Sequence, residues 1–141
     1  MSYLRRDESG ASAVEFAIVV PILVMVMFAI FEFGLAYFRS QSLQAAAREG
    51  ARVASLSQTT STEIQARVCV WAGGTCTAGT LVGVPFATQP RVEVVPNTAR
   101  PCNLRSGQSV RVTVEADITI EIPFFGQRTP ELTGIGEFRC E

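Results

Sequence analysis

The chain has 141 residues, a net charge of −1 and 48% hydrophobic residues, and it contains neither histidine nor lysine. Its length suits one small domain with an additional segment. The missing residue types exclude Ser–His and Cys–His nucleophiles, HExxH zinc sites, phosphate-binding lysines and Schiff bases. A nearly neutral chain without a basic cluster also gives no indication of nucleic-acid binding.

Three carboxylates that lie close together in sequence, Glu115, Asp117 and Glu121, are the remaining candidates for acid–base chemistry. They alternate with apolar residues and share their side of the pattern with threonine, which is typical of the solvated face of a strand. We therefore predict that the protein is not an enzyme, needs no cofactor and has no catalytic or metal-binding residues.

An apolar segment of bilayer length runs from Phe16 to Phe38 and contains one charge, Glu32. It is long enough to cross a hydrocarbon core of about 30 Å. Arg5 and Arg6 precede it and favour a cytoplasmic N-terminus with an outward-facing C-terminal part. The alternative is a cleaved secretory signal with its site near Gly34-Leu35-Ala36, although the segment exceeds the usual apolar length of about 7–15 residues.

Glu15 lies at the start of this segment, five residues after Gly10. A charge in the middle of a membrane helix costs roughly 3 kcal/mol, so a carboxylate beside one needs a reason. One interpretation is a processing site at Gly10–Ala11 and a partner that neutralises Glu15. The other is a glutamate that rests among the lipid headgroups.

The segment from Gly10 to about residue 55 combines a glycine, a glutamate and an aromatic residue after it, a membrane proline, a second acid and an Ala/Arg-rich continuation. The corresponding residues are Gly10, Glu15, Phe16, Pro21 and Glu32. Together these features resemble the N-terminal region of TadE-like minor pilins, in the tight-adherence (Flp-type) branch of the type IV pilin superfamily. The rest of the chain shares no specific motif with the family and is similar to it only in general character.

In that family, prepilin peptidase cuts after the glycine on the cytoplasmic face. The resemblance therefore implies cleavage between Gly10 and Ala11 and a new amino group on Ala11. It also implies assembly residues at Glu15, Phe16 and Glu32, with Glu15 meeting the amine of an adjacent subunit. Glu32 lies near the outer interface, where simple contact with water is an equally open interpretation.

Beyond the apolar segment the pattern stays helical to about Leu56, with alanines and arginines that favour a helix. Ala46, Gly50 and Ala54 recur at four-residue spacing and form a strip of small residues. Such a strip allows close approach of another backbone. The partner is either the protein's own sheet or a neighbouring subunit.

The C-terminal part predicts a short helix and several strands. Thr60 and Glu63 form the pattern of a capping box, which opens a helix through Trp71 that ends at Gly73-Gly74. Residues 73–90 predict a loop or an irregular strand, and strands are predicted at 91–95, 109–122 and 134–140. The second strand alternates throughout and is longer than usual, so we expect it to twist or bend.

Four cysteines in an outward-facing domain imply two disulfides, for which three pairings exist. We favour Cys69–Cys76, which closes a small loop, and Cys102–Cys140, which ties the tail to the loop before the long strand. A zinc site is a weaker alternative, because the chain has no C-x-x-C pair and no histidine.

The predicted fold class is α+β and pilin-like, with a long N-terminal helix whose first half is embedded in the membrane, a short second helix and a small antiparallel β-sheet. The predicted regions are a cytoplasmic leader (1–10), a long helix (11–56) with a transmembrane segment at about 16–38, and a disulfide-linked domain (57–141).

The resemblance implies a minor pilin or pseudopilin that takes part in assembling a tight-adherence pilus. It places the protein in the bacterial inner membrane as a single-pass protein with a periplasmic C-terminal domain, or within an extracellular pilus. The expected partners are prepilin peptidase, other pilin subunits, the inner-membrane assembly platform and the membrane, but no nucleic acid. The alternative is an uncleaved single-pass membrane protein with an outward-facing binding or sensing domain.

Overall fold

A computed structural model describes residues 9–72, 75–77, 80–82, 90–103, 106–122 and 126–141. Apart from Ser9 and Gly10, the predicted leader lies outside these residues. The helices of the described part are α1 (Ser9–Ala54) and α2 (Ser61–Trp71). Its strands are β1 (Thr75–Thr77), β2 (Thr80–Val82), β3 (Arg91–Val95), β4 (Ser109–Asp117), β5 (Ile120–Ile122), β6 (Gly126–Arg128) and β7 (Glu131–Arg139).

Helix α1 is 46 residues long and contains Pro21, yet it continues as one α-helical element. At 1.5 Å per residue it extends for about 69 Å, more than twice the thickness of a bilayer core. The prediction of a long N-terminal helix followed by a short helix and a small antiparallel sheet is confirmed. The α+β, pilin-like fold class therefore holds.

The second half of α1 packs on a three-stranded antiparallel sheet with the strand order β3-β4-β7. The inward side chains of β4 alternate with outward polar ones, and those of α1 and α2 fill the other side of the core. The fully buried members are Leu43, Ala46, Ala47, Ala51, Ala54, Ile64, Val68, Val110, Val112 and Val114. A two-layer arrangement of helices on one sheet face follows from this pattern.

Two glycines of β7 allow the sheet to lie directly against the helix backbone. A Cβ atom built on Gly134 would come within 2.5 Å of the carbonyl oxygen of Leu43, and one on Gly136 within 2.3 Å of that of Ala47. Real Cβ atoms do not approach a backbone that closely, so only glycine fits at either position. The two contacts also show that α1 and β7 run in the same direction.

The predicted capping box at the start of α2 is present. The backbone N–H of Thr60 donates to a carboxylate oxygen of Glu63 at 2.8 Å, and the Thr60 hydroxyl oxygen accepts from the Glu63 N–H at 3.4 Å. Ser61 ties this end to the loop after β3, since its hydroxyl donates to the Thr98 carbonyl oxygen at 2.6 Å. The helix start is thereby fixed to the sheet layer.

These contacts predict a dependence of stability on acid. The hydrogen bond from the Thr60 backbone N–H holds the pKa of Glu63 below its usual value. On the sheet, a side-chain hydrogen bond from Arg111 likewise lowers the pKa of Glu137. A lowered pKa in the folded state stabilises the fold above the unfolded value of about 4.3, and this contribution is lost as the pH falls through the folded pKa. Thermal melts of the full chain in detergent should therefore show a melting temperature that decreases below about pH 4.3.

The variant Glu63→Gln keeps an acceptor for Thr60 but removes the charge, so its melting temperature should depend less steeply on pH in this range. Glu93→Gln, which neutralises an exposed carboxylate of β3, serves as the matched control. An equal pH slope in Glu63→Gln and the wild type would contradict this account of the cap.

The predicted strand over 109–122 is interrupted, which is a correction to the sequence analysis. The ladder with β7 ends where Asp117 faces Glu131, and it resumes in the same register where Ile120 of β5 faces Arg128 of β6. Pro130 stands at the interruption, and its carbonyl oxygen accepts from the Ile118 N–H at 3.1 Å. Since proline has no N–H to donate, it breaks the ladder.

The other strand predictions hold to different degrees. Strand β3 occupies the predicted residues 91–95, whereas β7 begins at Glu131, three residues earlier than the predicted strand 134–140. Within 73–90, where we predicted a loop or an irregular strand, β1 and β2 form an antiparallel hairpin. The predicted helix stop at Gly73-Gly74 lies outside the described residues.

A disulfide joins Cys102 to Cys140 across 38 positions of sequence, with the Cα atoms 5.3 Å apart. This is one of the two favoured pairings. By the chain-entropy estimate, a loop of that length contributes about 3–4 kcal/mol to the stability. Cys69 is also disulfide-bonded. The side chain of Cys76, its predicted partner, lies outside the described part of the chain, so that pairing stays a prediction.

Candidate functional site

Helix α1 divides at Leu43 into an uncovered half and a packed half. No residue from Gly10 to Ser42 is buried, whereas Leu43, Ala46 and Ala47 are fully buried. The uncovered half includes large apolar side chains such as Phe16, which is 70% exposed. Water does not favour such a surface, so this half requires a membrane or other helices around it.

The uncovered half has the length and composition of a membrane span. In the described residues, one helix, Gly10–Ala54, is long and apolar enough to cross a membrane, with a mean hydropathy of 2.7 over its most apolar window. None of that window is buried within the protein. The core helix of a soluble domain would show the opposite, so the uncovered half of α1 is not a core element, and single-pass membrane anchoring is the interpretation that it supports.

Glu15 and Phe16 lie at the N-terminal end of the predicted anchor, and both are exposed. In the α1 geometry Glu15 is one turn, or about 6 Å, beyond Ala11. Neither Glu15 nor Glu32 has a salt-bridge partner within the described residues. Any partner of these two carboxylates would therefore lie outside the described residues, in water, in lipid headgroups or in another chain.

Glu32 does not join Glu15 in a common site. The two lie 17 positions apart, which corresponds to roughly 25 Å along the axis and about 100° around it. Glu32 is half-buried, whereas Glu15 is exposed. The predicted assembly residues therefore occupy two separate levels of the anchor.

The strip of small residues packs within the protein. Ala46 and Ala54 are fully buried, and a Cβ atom on Gly50 would lie 2.4 Å from a side-chain methyl of Val68 in α2. Of the two interpretations given by the sequence, packing within the chain is therefore the one that the fold adopts.

The three candidate carboxylates of the sequence analysis do not form a pocket. Glu115 and Asp117 point outward from β4, and Glu121 lies on the exposed strand β5, where it accepts from the Gln127 amide at 3.4 Å. Within the described residues, no group of three or more metal-ligating side chains occurs.

One contact was missed by the sequence analysis. The side-chain amide of Gln44 donates to the carbonyl oxygen of Thr133 at 3.1 Å and accepts from the N–H of Ile135 at 3.4 Å. It thus occupies the outer side of β7, where none of the described strands pairs with it. Glutamine on a helix carries no signal that would reveal this role.

These observations define a membrane-anchored α+β protein whose long helix carries both the anchor and part of the domain core. The comparison with family models then identifies the N-terminal segment, since the model described as TadE-like protein matches residues 10–52. The resemblance stated from the sequence is confirmed over this segment. Comparisons with curated proteins and with solved structures gave no match.

Proposed function

We propose that this chain is a minor pilin or pseudopilin that takes part in the assembly of a tight-adherence (Flp-type) pilus. The observation that carries the proposal is the TadE-like match over residues 10–52, which covers the uncovered half of α1 and most of its packed half. The protein's task in this proposal is assembly rather than catalysis.

The proposed sequence of events begins in the inner membrane, where residues 16–38 hold the chain with its C-terminal domain in the periplasm. Prepilin peptidase cleaves between Gly10 and Ala11 on the cytoplasmic side and leaves a positively charged amine on Ala11. The exposed position of Gly10 at the beginning of α1 supports access by a protease.

Glu15 then directs the cleaved chain into an assembly. An unpaired carboxylate at the edge of lipid is unfavourable, whereas one that pairs with the Ala11 amine of an adjacent subunit is compensated. The lack of a salt-bridge partner for Glu15 within the described residues leaves its carboxylate open to such a pair. The other pilin subunits and the inner-membrane assembly platform are the partners, and incorporation into the extracellular filament follows.

The test is the variant Glu15→Ala. Because Glu15 is exposed and outside the core, the variant should fold and still be cleaved, but its incorporation into sheared pilus fractions should fall severalfold. Glu15→Asp keeps the charge and serves as the control, with a smaller loss. Normal incorporation of Glu15→Ala would contradict the proposed role of this carboxylate.

The second candidate function is an uncleaved membrane protein with an outward-facing binding or sensing domain. The exposed apolar half of α1 is compatible with it as well. Under that function the chain would keep its leader, and substitution of Glu15 would leave piliation unchanged. A secreted protein cut near Ala36 is the third possibility and would lose the whole anchor.

A further inference from the structure

Among the described strands, none lies beside β7 on the side away from β4, and we call this side the open edge of β7. Its residues Glu131, Thr133 and Ile135 are exposed, with Ile135 51% exposed. A strand edge of this length with unpaired backbone groups is a template for another strand. Natural sheets usually cover such an edge, and here Gln44 covers only its central part.

The two Gln44 hydrogen bonds have the pattern of a parallel strand. In a parallel ladder, a single residue of the neighbouring strand donates to the carbonyl oxygen of one residue and accepts from the N–H two positions later. Gln44 makes this pair of bonds with Thr133 and Ile135. In an antiparallel ladder, two different residues would share these groups. The open edge is therefore already arranged for a parallel partner.

The other edge of the same sheet supplies a suitable strand. Strands β3 and β7 are each antiparallel to β4, so they are parallel to each other. Because α1 runs in the same direction as β7, copies anchored in one membrane present β7 of one and β3 of the next in parallel. A recess of about 410 Å³, lined by Ser61, Gln65 and residues of β3, borders β3.

The backbone groups of the two edges match. The Gln44 contacts show that the odd-numbered residues of β7 point their N–H and C=O groups to the open edge. Through the registers with β4, the odd-numbered residues of β3 bond to β4, which leaves Val92 and Val94 directed outward. Val94 of a second copy then fits between Thr133 and Ile135, where the Gln44 amide now lies.

The side chains that face each other in this register are compatible, and they favour it over the registers shifted by two residues. Glu131 faces Arg91 of the second copy, a pair of opposite charge. The apolar residues also meet, because Ile135 faces Val95, which is 49% exposed, and the partly buried Leu132 faces Val92. A shift by two positions would place Ile135 opposite Glu93. Cross-strand pairs of opposite charge and of apolar residues stabilise sheets.

We propose that copies of this protein associate head to tail by adding β3 of one copy to the open edge of β7 of the next, with Gln44 as the side chain that must be displaced. The proposal deepens the proposed function and rests on its membrane anchoring, but not on cleavage. Within one chain, Arg91 and Thr133 are both paired with Glu115 of β4, so they lie at the same height in the sheet. In the contact between copies, Arg91 instead faces Glu131.

This difference of two residues shifts each copy by about 6.6 Å along the strands. A head-to-tail contact with such a step does not close into a flat ring. It continues as a helix, which is the geometry of a filament.

Cysteine cross-linking tests the contact directly. The variants Thr133→Cys and Glu93→Cys, each in the full chain and reconstituted in lipid vesicles, should form a disulfide-linked dimer when mixed and treated with copper phenanthroline. Neighbouring strands lie about 4.7–4.9 Å apart, and Cα atoms at that separation are within the range that a disulfide spans. Cys69, Cys102 and Cys140 are disulfide-bonded and leave the new thiols to report the contact.

Two further arms make the result decisive. Thr133→Cys mixed with Arg91→Cys represents the shifted register and should cross-link much less. Ile135→Cys alone should form few dimers, because efficient dimers would indicate a symmetric antiparallel contact between two β7 strands and would overturn the proposal. Equal cross-linking in the first two mixtures, or none in either, would also overturn it.

The role of Gln44 has a separate readout. Gln44→Ala removes two competing hydrogen bonds and should raise the cross-linking rate of the Thr133→Cys and Glu93→Cys mixture roughly tenfold. Gln41→Ala, one helical turn earlier and exposed, is the matched control and should have no effect. An unchanged rate in Gln44→Ala would show that Gln44 does not guard the edge. Since the vesicles contain neither peptidase nor pilus machinery, failure here and failure of the proposed function are distinguishable.

Discussion

Replacement of Gly136 by alanine is expected to destabilise the domain by about 2–3 kcal/mol, a large part of the stability of a small domain. The new Cβ atom would lie 2.3 Å from the carbonyl oxygen of Ala47 and 2.8 Å from the Cα atom of Arg48. Both are backbone atoms of α1 and cannot rotate away. The helix must therefore move off the sheet, which opens the core beside Leu43 and Ala47.

The measurement is denaturant unfolding of the full chain in detergent, followed by circular dichroism. Gly50→Ala is an informative comparison, because its Cβ atom would meet a side-chain methyl of Val68 rather than backbone, and alanine favours the helix by about 1 kcal/mol. It should cost clearly less than Gly136→Ala. Thr133→Ala controls for an exposed change in the same strand. A Gly136→Ala variant as stable as this control would contradict the close packing of α1 on β7.

The substitution with the largest expected effect on function is Gly10→Leu, which should abolish maturation and pilus assembly. The structure separates this effect from folding, since a Cβ atom on Gly10 would meet nothing within 4 Å. A bulky residue at Gly10 therefore leaves the fold intact and changes only the size of the side chain that must fit the active site of the peptidase. Immunoblots of membranes should show the uncleaved chain, and sheared fractions should lack it.

Gly34→Leu is the matched control, because it changes a glycine of the same helix that likewise has nothing within 4 Å. Under the pilin interpretation, it should be processed normally. Under the secretory-signal alternative the outcome reverses, since Gly34 adjoins the candidate site near Ala36 and Gly10 would be irrelevant. Normal processing of Gly10→Leu would count against the proposed cleavage after Gly10.

Local patterns predicted the elements that depend on local interactions. The capping box of Thr60 and Glu63 was found because both partners belong to one short motif. Strand β3 and the inward face of β4 were found because burial on one face enforces strict alternation. The long helix was equally visible, since its apolar run and its alanine-rich continuation agree on one conformation.

Features that depend on a distant partner were not predicted. The interruption of the long strand after Asp117 depends on Pro130, which is remote in sequence but adjacent in the ladder. The role of Gln44 depends on the position of β7 beside α1. Gly134 and Gly136 did carry a signal, because alternate glycines on one face of a strand indicate close approach of another backbone.

The strip of small residues shows how far the candidate site can be predicted from the sequence. Its spacing indicated close helix packing, but the same spacing serves a contact within the chain and a contact between chains. Only the burial of Ala46 and Ala54 beneath the sheet and α2 distinguishes the two. Conversely, the role proposed for Glu15 depends on other chains, and no pattern in one sequence supplies the identity of those chains.

The most direct test of the central claim is the intact mass of the membrane-extracted chain, without reductant, from cells with and without prepilin peptidase. The pilin assignment predicts that residues 1–10 are lost only in the cells that contain the peptidase. A full-length chain in both strains would contradict the assignment and leave an uncleaved membrane protein. A chain that begins near Ala36 or Tyr37 in both strains would contradict it too, and would identify a secreted protein.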